Sequence, residues 1–250
     1  MIGTPVLLSR FARAVSTYEA EAVVQRAAAE RLAGLLGRYF HGLAPRILEI
    51  GCGTGLLSRQ LMARFAPAEL VVNDLCPEMA VCFANVPRAR FFPGDARTLE
   101  WPGVFDVVAS ASAVQWFGDL GAFAQRCAAV LPTGGWLAVS CFGPATLQET
   151  AALSGKGLEY PSFAQFVEAL ADGFEPVETA QERQALTFPD GFAVLRHLKA
   201  TGVTATGAAD ATPWTRGRME TFARAYAEQF AVPGGVSLTY EPFWFVGRKR

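Results

Sequence analysis

Three glycines at alternate positions, Gly51, Gly53 and Gly55, end the apolar run Ile47-Leu48-Glu49-Ile50, and a helix-like pattern resumes at Leu56. Glycine tolerates positive φ, and its missing Cβ lets a ligand approach the backbone. A helix beginning there offers unpaired N–H groups and a partial positive charge. Gly51, Cys52 and Gly53 are thus candidates to line a small-molecule cradle. The dinucleotide fingerprint is G-x-G-x-x-G. This chain reads E-x-G-x-G-x-G, with the third glycine one residue early and an acid, Glu49, two residues before the first. A carboxylate there repels a pyrophosphate but accepts hydrogen bonds from an ammonium or a hydroxyl group. The spacing therefore predicts a nucleotide-like ligand that is cationic and not phosphorylated on that side.

Further polar residues sit where apolar runs end. Asp74 lies 23 residues beyond Gly51, near the ~20-residue offset at which an acid meets ribose hydroxyls in nucleotide-binding α/β folds; Leu75 and Met79 follow it. Asp95, just after Gly94, is placed to accept from an adenine amino group, with the Ala96 N–H near the ring. Ser110 ends a fourth run.

Five strands would carry these groups: Arg46–Ile50, Glu69–Asp74, Ala89–Phe92, Phe105–Ser110 and Trp136–Phe142. Helices Leu56–Phe65, Pro77–Asn85 and Leu120–Leu131 fall between them. Such alternation implies a parallel sheet with helices on both faces, whose ligand binds beyond the strands' carboxyl ends. Upstream, Phe11 to Leu36 has helical spacing, capped by Ser16 or Thr17. Its Tyr18 and Gln25 are expected to help close the cofactor pocket.

After Phe142 the pattern changes. A helix is expected over Pro161–Ala171, a strand over Val177–Phe188, and helices over Asp190–Thr201 and Thr215–Phe230. Gly234-Gly235 precedes a β-rich run, Val236–Arg248. The reading is one α/β domain over 1–250: a helical cap (1–40), a cofactor-binding core (44–145), a helical lid (190–232) and a C-terminal strand (236–250) inserted antiparallel into the sheet.

Composition narrows the function. The 250 residues are 51% hydrophobic with a formal net charge of -1, which disfavours a nucleic-acid partner. No apolar run approaches the ~18 residues of a membrane span, and the first 13 residues lack a signal-peptide core. Five cysteines without C-x-x-C point to buried thiols in a reducing cytoplasm. Only two histidines are present, so neither a histidine-rich metal site nor a Ser-His-Asp triad is expected, and no metal is assigned.

Glu49 to Gly55, Asp74, Asp95-Ala96 and Leu131 to Gly135 together resemble the class I, Rossmann-like methyltransferases that use S-adenosylmethionine. Within that class the chain resembles the malonyl-[acyl-carrier protein] O-methyltransferase family of early biotin synthesis. That likeness rests on Tyr18-Glu19 with Gln25, Ala113-Val114-Gln115-Trp116, Phe142 to Leu147, Leu186 to Phe188, Leu195 to Lys199 with Gly202, and Leu238 to Phe243. Ala111 departs from the asparagine expected after Ser110. The resemblance implies a mostly parallel seven-stranded sheet, S-adenosylmethionine as cofactor, and methylation of the free carboxylate of a malonyl thioester on acyl-carrier protein or coenzyme A. Such a carboxylate is already ionised and needs no general base. One Arg or Lys, Arg196 or Lys199, with Tyr18 or Gln115 as neutral donor and Trp116 beside it, is expected to hold it. Arg196, Lys199, Arg216, Arg218, Arg248, Lys249 and Arg250 are expected to meet an acidic carrier surface. Three alternatives remain: another small-molecule O-methyltransferase on this fold, a nicotinamide-dependent oxidoreductase, and a non-catalytic S-adenosylmethionine-binding protein.

Overall fold

The computed structural model describes residues 17–155, 157–202 and 214–250. In chain order its elements are helical residues 17–21, α1 (Val23–Leu36), β1 (Arg46–Ile50), α2 (Leu56–Phe65), β2 (Glu69–Asp74), a 3-10 helix (Pro77–Cys82), β3 (Ala89–Pro93) and β4 (Val107–Ala111). A 3-10 turn (Val114–Trp116), α3 (Leu120–Ala129), β5 (Trp136–Phe142), α4 (Gln148–Ser154), α5 (Phe163–Leu170), β6 (Phe174–Gln181) and β7 (Gln184–Phe188) follow. The chain ends with α6 (Gly191–Ala200), α7 (Arg216–Phe230), β8 (Ala231–Val232), β9 (Gly235–Tyr240) and β10 (Pro242–Lys249).

Two compact units divide these elements. One takes Val23–Phe142, Pro161–Gln181 and Pro242–Arg250 and carries a seven-stranded sheet of order β3-β2-β1-β4-β5-β10-β6. β1 to β5 pair in parallel, while β10 runs antiparallel between β5 and β6. Period-2 alternation builds a core on each face. Ile47, Leu70, Val72, Val107 and Ala138 face α1 and α2. Leu48, Val71, Val108, Leu137 and Phe245 pack with Phe123 and Cys127 of α3 and Phe166 and Leu170 of α5. Strand order reverses between β1 and β4, so the crevice beside β1's carboxyl end is where such sheets take ligands.

The other unit draws on Met1–Ala22, Gly143–Tyr160 and Glu182–Glu241 and holds α4, α6, α7 and the small sheet β7-β9-β8. It extends well beyond the 190–232 segment read as a lid. Two expected strands prove to be four. Val177–Phe188 divides at Glu182-Arg183, and Val236–Arg248 divides at Glu241, each half joining a different sheet. Next to the breaks, Pro242 brings no N–H to the start of β10, and Arg183 meets Glu241 in an ion pair at 3.0 Å.

Caps follow the residue types. Asp119, Ser162, Asp190 and Thr215 each accept an N–H from the first turn of their helix. The N-terminal helix expected over Phe11–Leu36 breaks at Ala22, and Ser16 lies outside the described residues. Thr17 donates to the Ala200 carbonyl at 3.3 Å.

The basic tail is structural. Lys249 Nζ donates to the carbonyls of Ala128 and Leu131, each at 2.6 Å, closing the C-terminal end of α3, and Arg248 Nε donates to Gly134 O. Lys249→Met should therefore lower stability by about 1–2 kcal/mol. A urea midpoint equal to that of the parent protein would show the ammonium contributes nothing there.

Candidate functional site

The turn from β1 into α2 needs its glycines. Gly51 has φ 72°, and a Cβ there would lie 2.3 Å from Ala113 Cβ. Gly53, at φ 51°, has open space where a Cβ would stand. The end of β2 holds this turn. The N–H groups of Gly51 and Cys52 both donate to Asn73 O at 2.8 Å, and the Gly53 N–H donates to Asp74 Oδ2 at 2.8 Å. Asp74 Oδ1 accepts from the Cys76 N–H at 2.9 Å. The N–H groups of Gly51, Cys52 and Gly53 are thus already engaged, and Asp74 is a loop organiser in its own right. Burial pushes its carboxyl above the usual range, opposed by the N–H groups of Cys76, Gly53 and Leu75. Each carboxylate oxygen keeps a further lone pair.

Asn73 was not among the expected site residues. Its amide donates to Phe92 O at 2.8 Å and Gly94 O at 2.9 Å, so one buried side chain sets the β3 loop while its carbonyl sets the glycine loop. A polar residue inside the run Leu70-Val71-Val72 was the available signal.

Glu49 is 1% exposed and lies under α2, where Ser58 Oγ donates to its Oε2 at 2.5 Å. Burial raises its carboxyl to about 8; the Ser58 bond opposes this and the Asp74 charge adds to it.

Several expected residues are committed elsewhere. Asp95 is forked by Arg97, whose Nη2 donates to Oδ2 at 2.6 Å and whose Nε donates to Oδ1 at 2.9 Å, and this hydrogen bonding holds its carboxyl below the usual range. Ala96 is buried, and its carbonyl accepts from Arg126 Nε at 2.9 Å; Arg126 also donates to Leu99 O. Ser110 is fully buried and donates to Ile50 O at 2.8 Å, stitching β4 to β1 rather than facing a ligand. Gln115 Nε2 donates to Ser112 O at 2.8 Å, leaving one further amide N–H. Cys52 and Met79 are buried, while Leu75 and Trp116 are half-buried. Gln25, on α1, is buried with its Oε1 unpartnered among the described residues, as is Thr54 Oγ1 in the glycine turn.

Tyr18 belongs to the other unit, separated from Gln25 by the division at Ala22. Arg196 and Lys199 lie exposed on α6, the solvated face that helical spacing equally allows. His197, between them, is 3% exposed and bonded on both ring nitrogens. Of the remaining basic candidates, Arg216 pairs with Glu220 at 2.9 Å and Arg218 lies over Trp214.

The strand order, the antiparallel β10 and the acid-led glycine turn define a class I methyltransferase fold. Residues 48–139 match the family model of a methyltransferase domain. The malonyl-[acyl-carrier protein] O-methyltransferase of Bacteroides thetaiotaomicron is 37% identical over 98% of each chain, and that of Porphyromonas gingivalis is 37% identical over 99% of this chain and 96% of its own. In fold, the chain is similar to the N-methyltransferase NodS from Bradyrhizobium japonicum in complex with S-adenosyl-L-homocysteine: TM-score 0.53, 14% identity, 90% of this chain and 86% of that one. The chain belongs to the malonyl-[acyl-carrier protein] O-methyltransferase family.

Proposed function

We propose that this protein transfers a methyl group from S-adenosylmethionine to the free carboxylate of a malonyl thioester on acyl-carrier protein, giving the malonyl methyl ester. Full-length identity to relatives bearing that name carries the reading. The residues of the β1 crevice suit the cofactor. Glu49, neutral by burial, gains most from a neighbouring positive group. Gln25 and Thr54 present unpartnered buried oxygens, and Gly53 leaves space above its backbone. In our reading Asp74 accepts from ribose hydroxyls with its remaining lone pairs, and the Asp95 loop, braced by Arg97 and Arg126, borders the adenine.

When bound, S-adenosylmethionine supplies an electrophilic methyl group. The chain's own task is to place a carboxylate oxygen in line with it and exclude water. Tyr18 is the neutral donor proposed for that carboxylate. Neutral donors leave the attacking oxygen its charge, which a bidentate guanidinium would withdraw. Arg196 and Lys199 are exposed, so we assign them to the acidic carrier surface instead, through contacts that weaken with salt. The five free cysteines suit a reducing cytoplasm, and among the described residues no helix is long and apolar enough to cross a membrane.

Intact-mass measurement tests the function. Malonyl-carrier protein incubated with enzyme and S-adenosylmethionine should gain one methyl, and acetyl-carrier protein none. Malonyl-coenzyme A, run in parallel, should be methylated at higher KM, because it lacks the carrier surface. Methylation of unrelated free acids with none on malonyl thioesters would sink the reading.

A further inference from the structure

The only buried histidine among the described residues joins three segments of one unit. His197 on α6 contacts Glu21 Oε2 through Nδ1 at 3.1 Å and the Tyr240 hydroxyl through Nε2 at 2.9 Å. A carboxylate only accepts, so in the neutral ring Nδ1 carries the proton and Nε2 accepts the Tyr240 O–H. Phe188 packs on the imidazole with ring centroids 4.9 Å apart, and the Thr201 hydroxyl donates to the His197 carbonyl at 2.9 Å. Both ring nitrogens and one ring face are thus engaged.

Glu21 belongs to the helical residues 17–21, where positions three apart share a face. Tyr18 therefore faces as Glu21 does, toward β9. Tyr240, at the end of β9, agrees: burial, then the nearby Tyr160, Tyr18 and Glu149, hold its phenol above the usual range. Thr17 adds a second tie from the same turn to α6, at Ala200 O. Solvated surface pairs are worth little. Glu21–His197 differs because the imidazole end is 3% exposed and cannot exchange its partner for water.

We propose that His197 is a positioning residue for methyl transfer: through Glu21 and Tyr240 it fixes the turn 17–21 and so the placement of the Tyr18 hydroxyl. The inference rests on the reading that Tyr18 meets the reacting carboxylate. It accounts for a buried, doubly bonded histidine that the chemistry itself does not use.

A double-mutant cycle on malonyl-carrier turnover tests it. His197→Ala should lower kcat about tenfold or more, with S-adenosylhomocysteine affinity by calorimetry within twofold of the parent. In a Tyr18→Phe background the same substitution should cost less than twofold, because the group it positions is gone. His197→Gln, keeping a polar atom near the Nε2 position, should recover part of the turnover. Glu21→Gln, at a half-exposed site where folding is not threatened, should lower kcat in the parent and not in His197→Ala. Losses that multiply in the double variant overturn the positioning role while leaving the reading of Tyr18 intact. A silent Tyr18→Phe overturns that reading, and the inference with it.

Discussion

Glu49→Gln is expected to change how the ligand-free protein responds to pH. Burial lifts the Glu49 carboxyl from 4.5 to about 8, so above pH 4.5 the unfolded chain releases a proton that the folded one keeps. Its contribution to stability is fully present below about 4.5, declines as pH rises, and is gone by about 8. The total is on the order of 3–5 kcal/mol at 1.36 kcal/mol per unit. Thermal midpoints should fall between pH 5 and 8 in the parent and flatten in Glu49→Gln, which keeps the Ser58 contact. Cofactor binding carries the opposite sign. A cationic ligand favours the carboxylate, so affinity should rise toward pH 8 with release of a proton. Calorimetry in buffers of different ionisation enthalpy reads that proton directly. An unaltered pH slope in Glu49→Gln would remove Glu49 from both effects.

Asp74→Ala should weaken S-adenosylhomocysteine by about 1.5–3 kcal/mol, the scale of hydrogen bonds to a charged group. Two causes converge here. The Gly53 and Cys76 N–H groups lose the acceptor that shapes the turn, and the proposed ribose contacts go with it. The residue ends β2, so the sheet should survive, and a cooperative melt would show it. A ligand lacking one ribose hydroxyl separates the causes. If Asp74 meets the ribose, the deoxy analogue binds the parent more weakly but binds Asp74→Ala no worse than the full ligand does. Equal affinity of both ligands for the parent would leave Asp74 as loop organiser alone. Unchanged affinity in the variant would exclude it from the site.

Much of the sheet was legible because each strand is a short apolar run ending in turn residues. β1, β2, α2 and β5 occupy the expected spans, since burial on both faces admits one register and Gly51, Gly53 and Gly55 mark where the backbone must turn. The helix starts at Asp190 and Thr215 were equally legible, and the structure makes each of these residues the cap, because a helix start asks for a short side-chain acceptor. The partners of polar groups were not visible. Asp95 read as an open acceptor, yet Arg97, two residues on, folds back over it. Ser110 read as a contact at a strand's end, yet Ile50 on the neighbouring strand takes its hydroxyl. Lys249 read as a docking charge, yet the end of α3 claims its ammonium.

Local pattern by itself determined the spans of β1, β2 and β5, where the glycine turn falls and that its ligand is cationic, because those depend on spacing, side-chain volume and backbone freedom near in sequence. Only the tertiary structure decided that two β-runs each divide between two sheets, that Asn73 and Asp74 hold the glycine turn, and that His197 rather than Arg196 or Lys199 lies inside. A buried polar atom must find a partner or bear its desolvation. Partners 139 or 176 residues away, such as Glu178 for Tyr39 or Glu21 for His197, are brought within reach only by the fold.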